Sequence, residues 1–175
     1  MTSTLSVSKI QGLSSAASPT TVEIASGHKI TGAAGSVIIP GQVIQSKSFL
    51  YDVEHSTSST SYVASNVTLN ITPTLSTSKI LAIFSVPIYG GGSGIATATL
   101  FRDSTDLALN TVNNNYGFGY VNNGIPGNIS GSVLDAPNST SQLTYAIYHK
   151  VSSASLSYMC INTCAASLSL LEIAQ

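Results

Sequence analysis

The chain has 175 residues, enough for one domain of ordinary size and an appendage. Charged residues make up 7% and the net charge is -1, where typical domains carry about 25% charged residues. That balance excludes a nucleic-acid footprint, which needs a clustered basic face, and no polybasic run offers itself to an anionic membrane.

The first stretch, "MTSTLSVSKIQGLSSAASP", has no basic segment followed by an apolar one. A secretory signal is therefore not expected, nor is a membrane span, because no run approaches ~18 consecutive apolar residues. Folding in a cytoplasm is the expectation. Residues 1–41 hold short strand-like pieces, "TLSVSKI", "TVEIAS", "HKITG" and "SVIIPG", each broken by Gly, Ser or Pro. Their apolar residues are Leu5, Val7, Ile10, Val22, Ile24, Ile30, Val37, Ile38 and Ile39. A lone chain buries too little with these to offset its entropy. Strand-like alternation points to an extended arm that other chains order, with these nine residues packing between chains or at an attachment socket.

From Gln42 the pattern strengthens. "QVIQSKSFLYDV" reads as a strand, and "SYVASNVTLNITP" alternates Val67, Leu69 and Ile71 with polar neighbours. "SKILAIFSVPIYGGG" is the most apolar run and reads as a central strand with Pro87 near its end. "GIATATLFRDSTDLAL" reads as a hairpin turning through Arg102 to Thr105. "YGFGYV", "GNISGSVLDAP", "QLTYAIYHKVSS", "LSYMCIN" and "ASLSLLEIA" complete eight to ten short strands. The last fits a helix nearly as well, but its serines and its place favour a strand. The expected fold is all-β: an extended N-terminal arm, 1–41, then an antiparallel β-sandwich, jelly roll or barrel, 42–175. Few Lys and Glu guard the sheet edges, which suits an oligomer whose chains cover one another.

Chemistry is sparse. His28, His55 and His149 have no metal-ligand spacing, and His149 reads as a structural, hydrogen-bonded or partly exposed group. Asp103 and Asp106 read as turn residues bonding nearby amides. Asp52 and Glu54 are expected to share one strand face, too little for a calcium site. Glu172 stands among leucines and reads as a solvated or paired acid. No pair of carboxylates signals a glycosidase cleft. Cys160 and Cys164 would lie roughly 13 Å apart in a continuous strand, so they are expected to be buried free thiols unless "INT" turns between them. "GGGSG" lacks the Lys and helix of a phosphate loop and reads as an inter-strand loop. No catalytic residue, metal or cofactor is expected. The aromatic loop "NNNYGFGYVNN" offers Tyr116, Phe118 and Tyr120 as a recognition surface, or as aromatics packed into the sandwich.

"STLSVSKIQ", "EIASGHKI", "PGQVIQ", "LNITPTLSTSKILA", "LFRDST", "GSVLDAPN" and "LSLLEIAQ" resemble, in order and over nearly the whole chain, a recurrent type of phage tail-fibre or related virion structural protein. The type is that of cyanophages and other phages of aquatic bacteria. More weakly, the order from "SKILAIFSV" to "LLEIAQ" is similar to the jelly-roll head of C1q/TNF-like trimers. The resemblance implies a homotrimeric short tail fibre, made in the host cytoplasm and carried on the virion tail. Its arm would meet other tail or baseplate proteins, and its head would contribute to host attachment, with a cell-surface glycan as one candidate receptor. A capsid decoration or head fibre, and a carbohydrate-binding adhesin module, are the alternatives. The chain lacks a long shaft and any depolymerase motif.

Overall fold

The structure is a computed structural model and describes residues 26, 27, 29, 30, 32, 37–108, 116–122, 124–153 and 155–175. The chain divides into two compact units, 1–37 and 38–175. In the first, Gly27 takes φ 83° and Ile30 is exposed. Leu5, Val7, Ile10, Val22, Ile24 and His28 lie outside the described residues. The second unit begins at Ile38, a few residues before the boundary expected from the sequence. Ile38 and Ile39 are exposed there. The Gly41 amide donates to the Ala174 carbonyl and the Ala174 amide to that of Gln42, so this stretch already pairs with the end of the chain.

The strands are β1 (Val43–Tyr51), β2 (His55–Thr57), β3 (Val63–Ile71), β4 (Lys79–Gly90), β5 (Ala96–Arg102) and β6 (Thr105–Asp106). They continue as β7 (Gly119–Val121), β8 (Pro126–Asp135), β9 (Leu143–Val151), β10 (Ser157–Met159) and β11 (Ala166–Ile173). From Gln42 onward every run expected to be a strand is one, the tail included; of the strand-like pieces in 1–41, "SVIIPG" forms no strand at 37–41 and the others fall mostly outside the described residues. The three-residue β2 carries too short an alternation to be read in advance. Among the described residues the helical content is one 3₁₀ turn, Ile161–Thr163.

In the first sheet β1 pairs with β11, β11 with β4, and β8 lies along the other edge of β4. Strands β10 and β2 extend this sheet beyond the end of β11. In the second sheet β3 pairs with β9 and β9 with β5, while β7 and β6 share the far edge of β5. All these pairings are antiparallel. The order β1-β11-β4-β8 in one sheet and β3-β9-β5-β7 in the other is that of two Greek keys wound into a jelly roll.

Alternation drives this arrangement. Along β4, Ile80, Ala82, Phe84, Val86 and Ile88 are buried and face the second sheet, leaving Leu81 and Ile83 on the outer face. Leu168 and Leu170 of β11, Leu100 of β5, Tyr145 and Ile147 of β9 and Ile71 of β3 complete the core. Each such side chain contributes about 1.5–3 kcal/mol on burial. Pro87 sits inside β4 without breaking it. Its carbonyl accepts from the Cys160 amide, so its ring nitrogen faces the gap where β4 changes partner from β11 to β10.

Three expectations are corrected. Glu172 is not solvated: it falls on the inward set with Leu168 and Leu170 and is fully buried. Asp52 and Glu54 share no strand, because β1 ends at Tyr51. Of the two free thiols only Cys160 is buried; the 3₁₀ turn brings Cys164 to the surface.

Candidate functional site

The outer face of the second sheet gathers five of the chain's twelve tyrosine and phenylalanine rings. On β9 the buried set Tyr145, Ile147 and His149 faces inward, which turns Tyr148 and Lys150 outward. On β5 the inward set is Ala96, Ala98 and Leu100, so Thr97, Thr99 and Phe101 face out. Register then aligns them: Thr97 lies opposite Lys150 on β9 and opposite Tyr120 on β7. One row across three strands therefore reads Lys150, Thr97, Tyr120.

Rings close over this row. The Lys150 ammonium stands 4.4 Å from the centre of the Tyr62 ring, a cation–π contact. Phe101 stacks on Tyr148 at 4.1 Å, and Tyr62 leans toward Phe101 at 6.5 Å. Tyr116 and Tyr120 pair at 4.9 Å on the rim, each about half exposed (47% and 52%). Between them opens a cavity of about 270 Å³, lined by Thr60, Thr97, Tyr116, Lys150, Val151 and Ser152.

The outward threonines of β5 are consequently buried, Thr97 at 1% exposure and Thr99 at 0%. Thr99 donates to Asp106 Oδ1, which also accepts the Ala108 amide at 3.0 Å. Thr97 Oγ1 and the Tyr62 hydroxyl are both buried and lie beside each other, so only one of the two O–H groups can donate within the pair. Gly117 lets the Tyr116 loop come this close. Its φ is 56°, and a Cβ there would lie 2.7 Å from the Tyr62 hydroxyl. Burial pushes the Tyr62 phenol above its usual range. Burial also lowers the Lys150 pKa, with Asp106 pulling it back up. The only ion pair among the described residues is Arg102–Asp135, so Lys150 has no carboxylate at salt-bridge distance there.

Of the three aromatics expected at a recognition surface, Tyr116 and Tyr120 meet at this site. Phe118 does not: its ring meets Phe84 edge-on at 5.0 Å and packs against the core. Tyr62, Thr97 and Lys150 were not legible as site residues. Strand alternation gives their outward direction, but nothing local to each segment gives the register that aligns them.

The other polar clusters are internal and well satisfied. Arg102 Nη1 donates to both Asp135 oxygens, at 2.6 and 2.7 Å, and the Tyr145 hydroxyl donates to Oδ2 at 2.6 Å. Glu172 accepts from Gln45, from the Thr74 hydroxyl and from the amides of Thr74 and Leu75, holding the β3–β4 loop to β11. His149 Nε2 lies 2.8 Å from His55 Nδ1, and its Nδ1 lies 2.9 Å from Ser157 Oγ. A second hollow, about 520 Å³ and open, is lined by Ser58, Gly91, Gly92, Ser155, Leu156 and Tyr158 and presents no charge. No group of three His, Cys, Asp or Glu is placed to hold a metal among the described residues.

No family model matches the chain, and no curated protein matches it. Among solved structures, one described as "Structure of infectious bursal disease virus Gx strain" is similar at 12% identity with a TM-score of 0.34. The similarity covers 76% of this chain and 37% of that one.

Proposed function

We propose that the chain is a non-enzymatic structural protein of a virion, a homotrimeric short tail fibre whose sandwich head meets the host surface. The observation that supports assembly with further copies is the outer face of the first sheet; the number three comes from the resemblance to tail fibres. Leu50, Leu81, Ile83, Leu134 and Leu171 share it with a field of serines, and strand register sets them in adjacent rows. Leu50 is 71% exposed, Leu134 53% and Ile83 44%. Lys79 is the one charged residue among those that register places on this face. A flat apolar patch without guarding charges suits burial against a neighbouring copy.

The resemblance of the sequence to tail fibres supplies the virion, and the jelly-roll strand order suits such a head. Residues 1–41 are the arm that joins tail or baseplate proteins. The tyrosine-rimmed face of the second sheet, left free when the first sheet is covered, is the surface for the host. A capsid decoration shares this physics and differs only in its socket.

Light scattering of the full chain tests the assembly. A trimer is expected, and Ile83→Glu is expected to release folded monomers with unchanged circular dichroism. A monomeric wild type, or a trimer indifferent to that charge, overturns the reading.

A further inference from the structure

We infer that the cavity over Thr97 and Lys150 is a binding site for one acidic pyranose, a sugar ring carrying a carboxylate or comparable anion. The inference deepens the host-contact reading and rests on it for its biological setting, although the site itself does not need a virion. Volume sets the first limit. About 270 Å³ lies just below the ~300–1,000 Å³ of ordinary ligand pockets, room for a single ring rather than a chain.

The lining sets the chemistry. Thr60, Tyr116 and Ser152 bring hydroxyls that both donate and accept, the pattern that matches sugar hydroxyls. Tyr116 and Tyr120 offer rigid aromatic area on the rim, against which the C–H face of a pyranose packs. Thr97 closes the floor of the cavity: its Oγ1 is buried out of reach of solvent beside the Tyr62 hydroxyl, so it shapes the site rather than meeting the ligand. Lys150 supplies the charge. Its ammonium is fixed by the Tyr62 ring, partly dehydrated, and free of a carboxylate at ion-pair distance among the described residues. An anionic substituent is the complement such a group lacks. Asp106 lies near enough to act on Lys150, yet two hydrogen bonds from Thr99 and Ala108 already hold one of its oxygens.

Titration of the full chain with glucuronate, N-acetylneuraminate and glucose, followed by NMR shifts of the tyrosine rings, tests the site. The two acids represent the two common sources of the anion. Saturable millimolar binding of at least one acid is expected, at least tenfold tighter than glucose and weakened by salt. Lys150→Met is expected to erase the preference for acid. Tyr116→Ala, which removes a half-exposed ring and hydroxyl from the lining, is expected to weaken both acid and neutral sugar with little change in melting temperature. Equal affinity for glucose, no saturable binding of either acid, or wild-type binding in both variants overturns the proposal. The fibre reading fails separately. A monomer that still binds an acidic sugar keeps the site and loses the fibre; a trimer that binds none does the reverse.

Discussion

His149 lies wholly inside the sandwich, bonded to His55 and Ser157. Burial first, and the neighbouring His55 second, lower its pKa to about 3. An unfolded histidine titrates near ~6.5. Between those values the unfolded chain binds a proton that the folded chain refuses. The stability is therefore fully present above ~6.5 and is lost as pH falls toward the folded value, by up to about 1.4 kcal/mol per pH unit. Urea unfolding at pH 7 and at pH 5.5 is expected to show a loss of about 1 kcal/mol, and His149→Met is expected to flatten it. An equal slope in the variant sinks the assignment. Glu172 acts in a lower window. Burial raises its pKa, but hydrogen bonds from Gln45 and the amides of Leu75 and Thr74 outweigh that and leave the carboxyl below its usual range. Its contribution is present above the unfolded value of ~4.3 and is lost below it. Glu172→Gln keeps an oxygen for the two backbone amides but sets its NH2 against the Gln45 Nε2 donor, and is expected to cost about 1–3 kcal/mol at pH 7 by the same unfolding measurement. The sequence left the side of Glu172 open, because a one-residue shift of register moves a strand's residues to the other face. Only pairing with β4 decides it.

At the scale of elements, alternation was readable and pairing was not. The run of β3 carries Val67, Leu69 and Ile71 against polar neighbours in plain order, so its strand and its faces could be written from the residues. Short β2 could not, since three residues of "HST" make no pattern and it is placed by its bonds to β10. Phe118 shows the same limit. Tyr116, Phe118 and Tyr120 alternate, but the chain turns at Gly117 before β7 begins, so Phe118 reaches the core while both tyrosines stay outside. The outer row of β5 and β9 depends on two segments far apart in the chain meeting at Thr97 and Lys150. The turn at Gly117 is the element that closes this site. Gly117→Ala puts a side chain at positive φ and into β5, and is expected to cost about 1–2 kcal/mol. The NMR ring shifts of Tyr116 and Tyr120, with the melting temperature, report on this loop. Unchanged shifts and melting temperature would mean that the loop does not rest on β5 through this residue.

At the scale of the whole molecule, the two units differ in what they can do alone. Every buried apolar residue among those described lies between Val67 and Ala174, within the unit that starts at Ile38. Removal of residues 1–25 therefore takes no described core residue, and surface-like losses of this kind are usually within about 0.5 kcal/mol. The removed piece carries Leu5, Val7, Ile10, Val22 and Ile24, separated by serine and glycine. So little apolar surface does not offset the entropy of ordering the segment by itself, but it suffices as an addition to a surface that a partner provides. The truncated chain is expected to melt with the full chain and to keep its trimer mass, because the apolar face assigned to assembly lies on β1, β4, β8 and β11. Its incorporation into virions is expected to fail. Normal incorporation would remove the arm from the attachment role and leave the head to carry both the socket and the host surface; a lowered melting temperature would instead make the arm part of the fold.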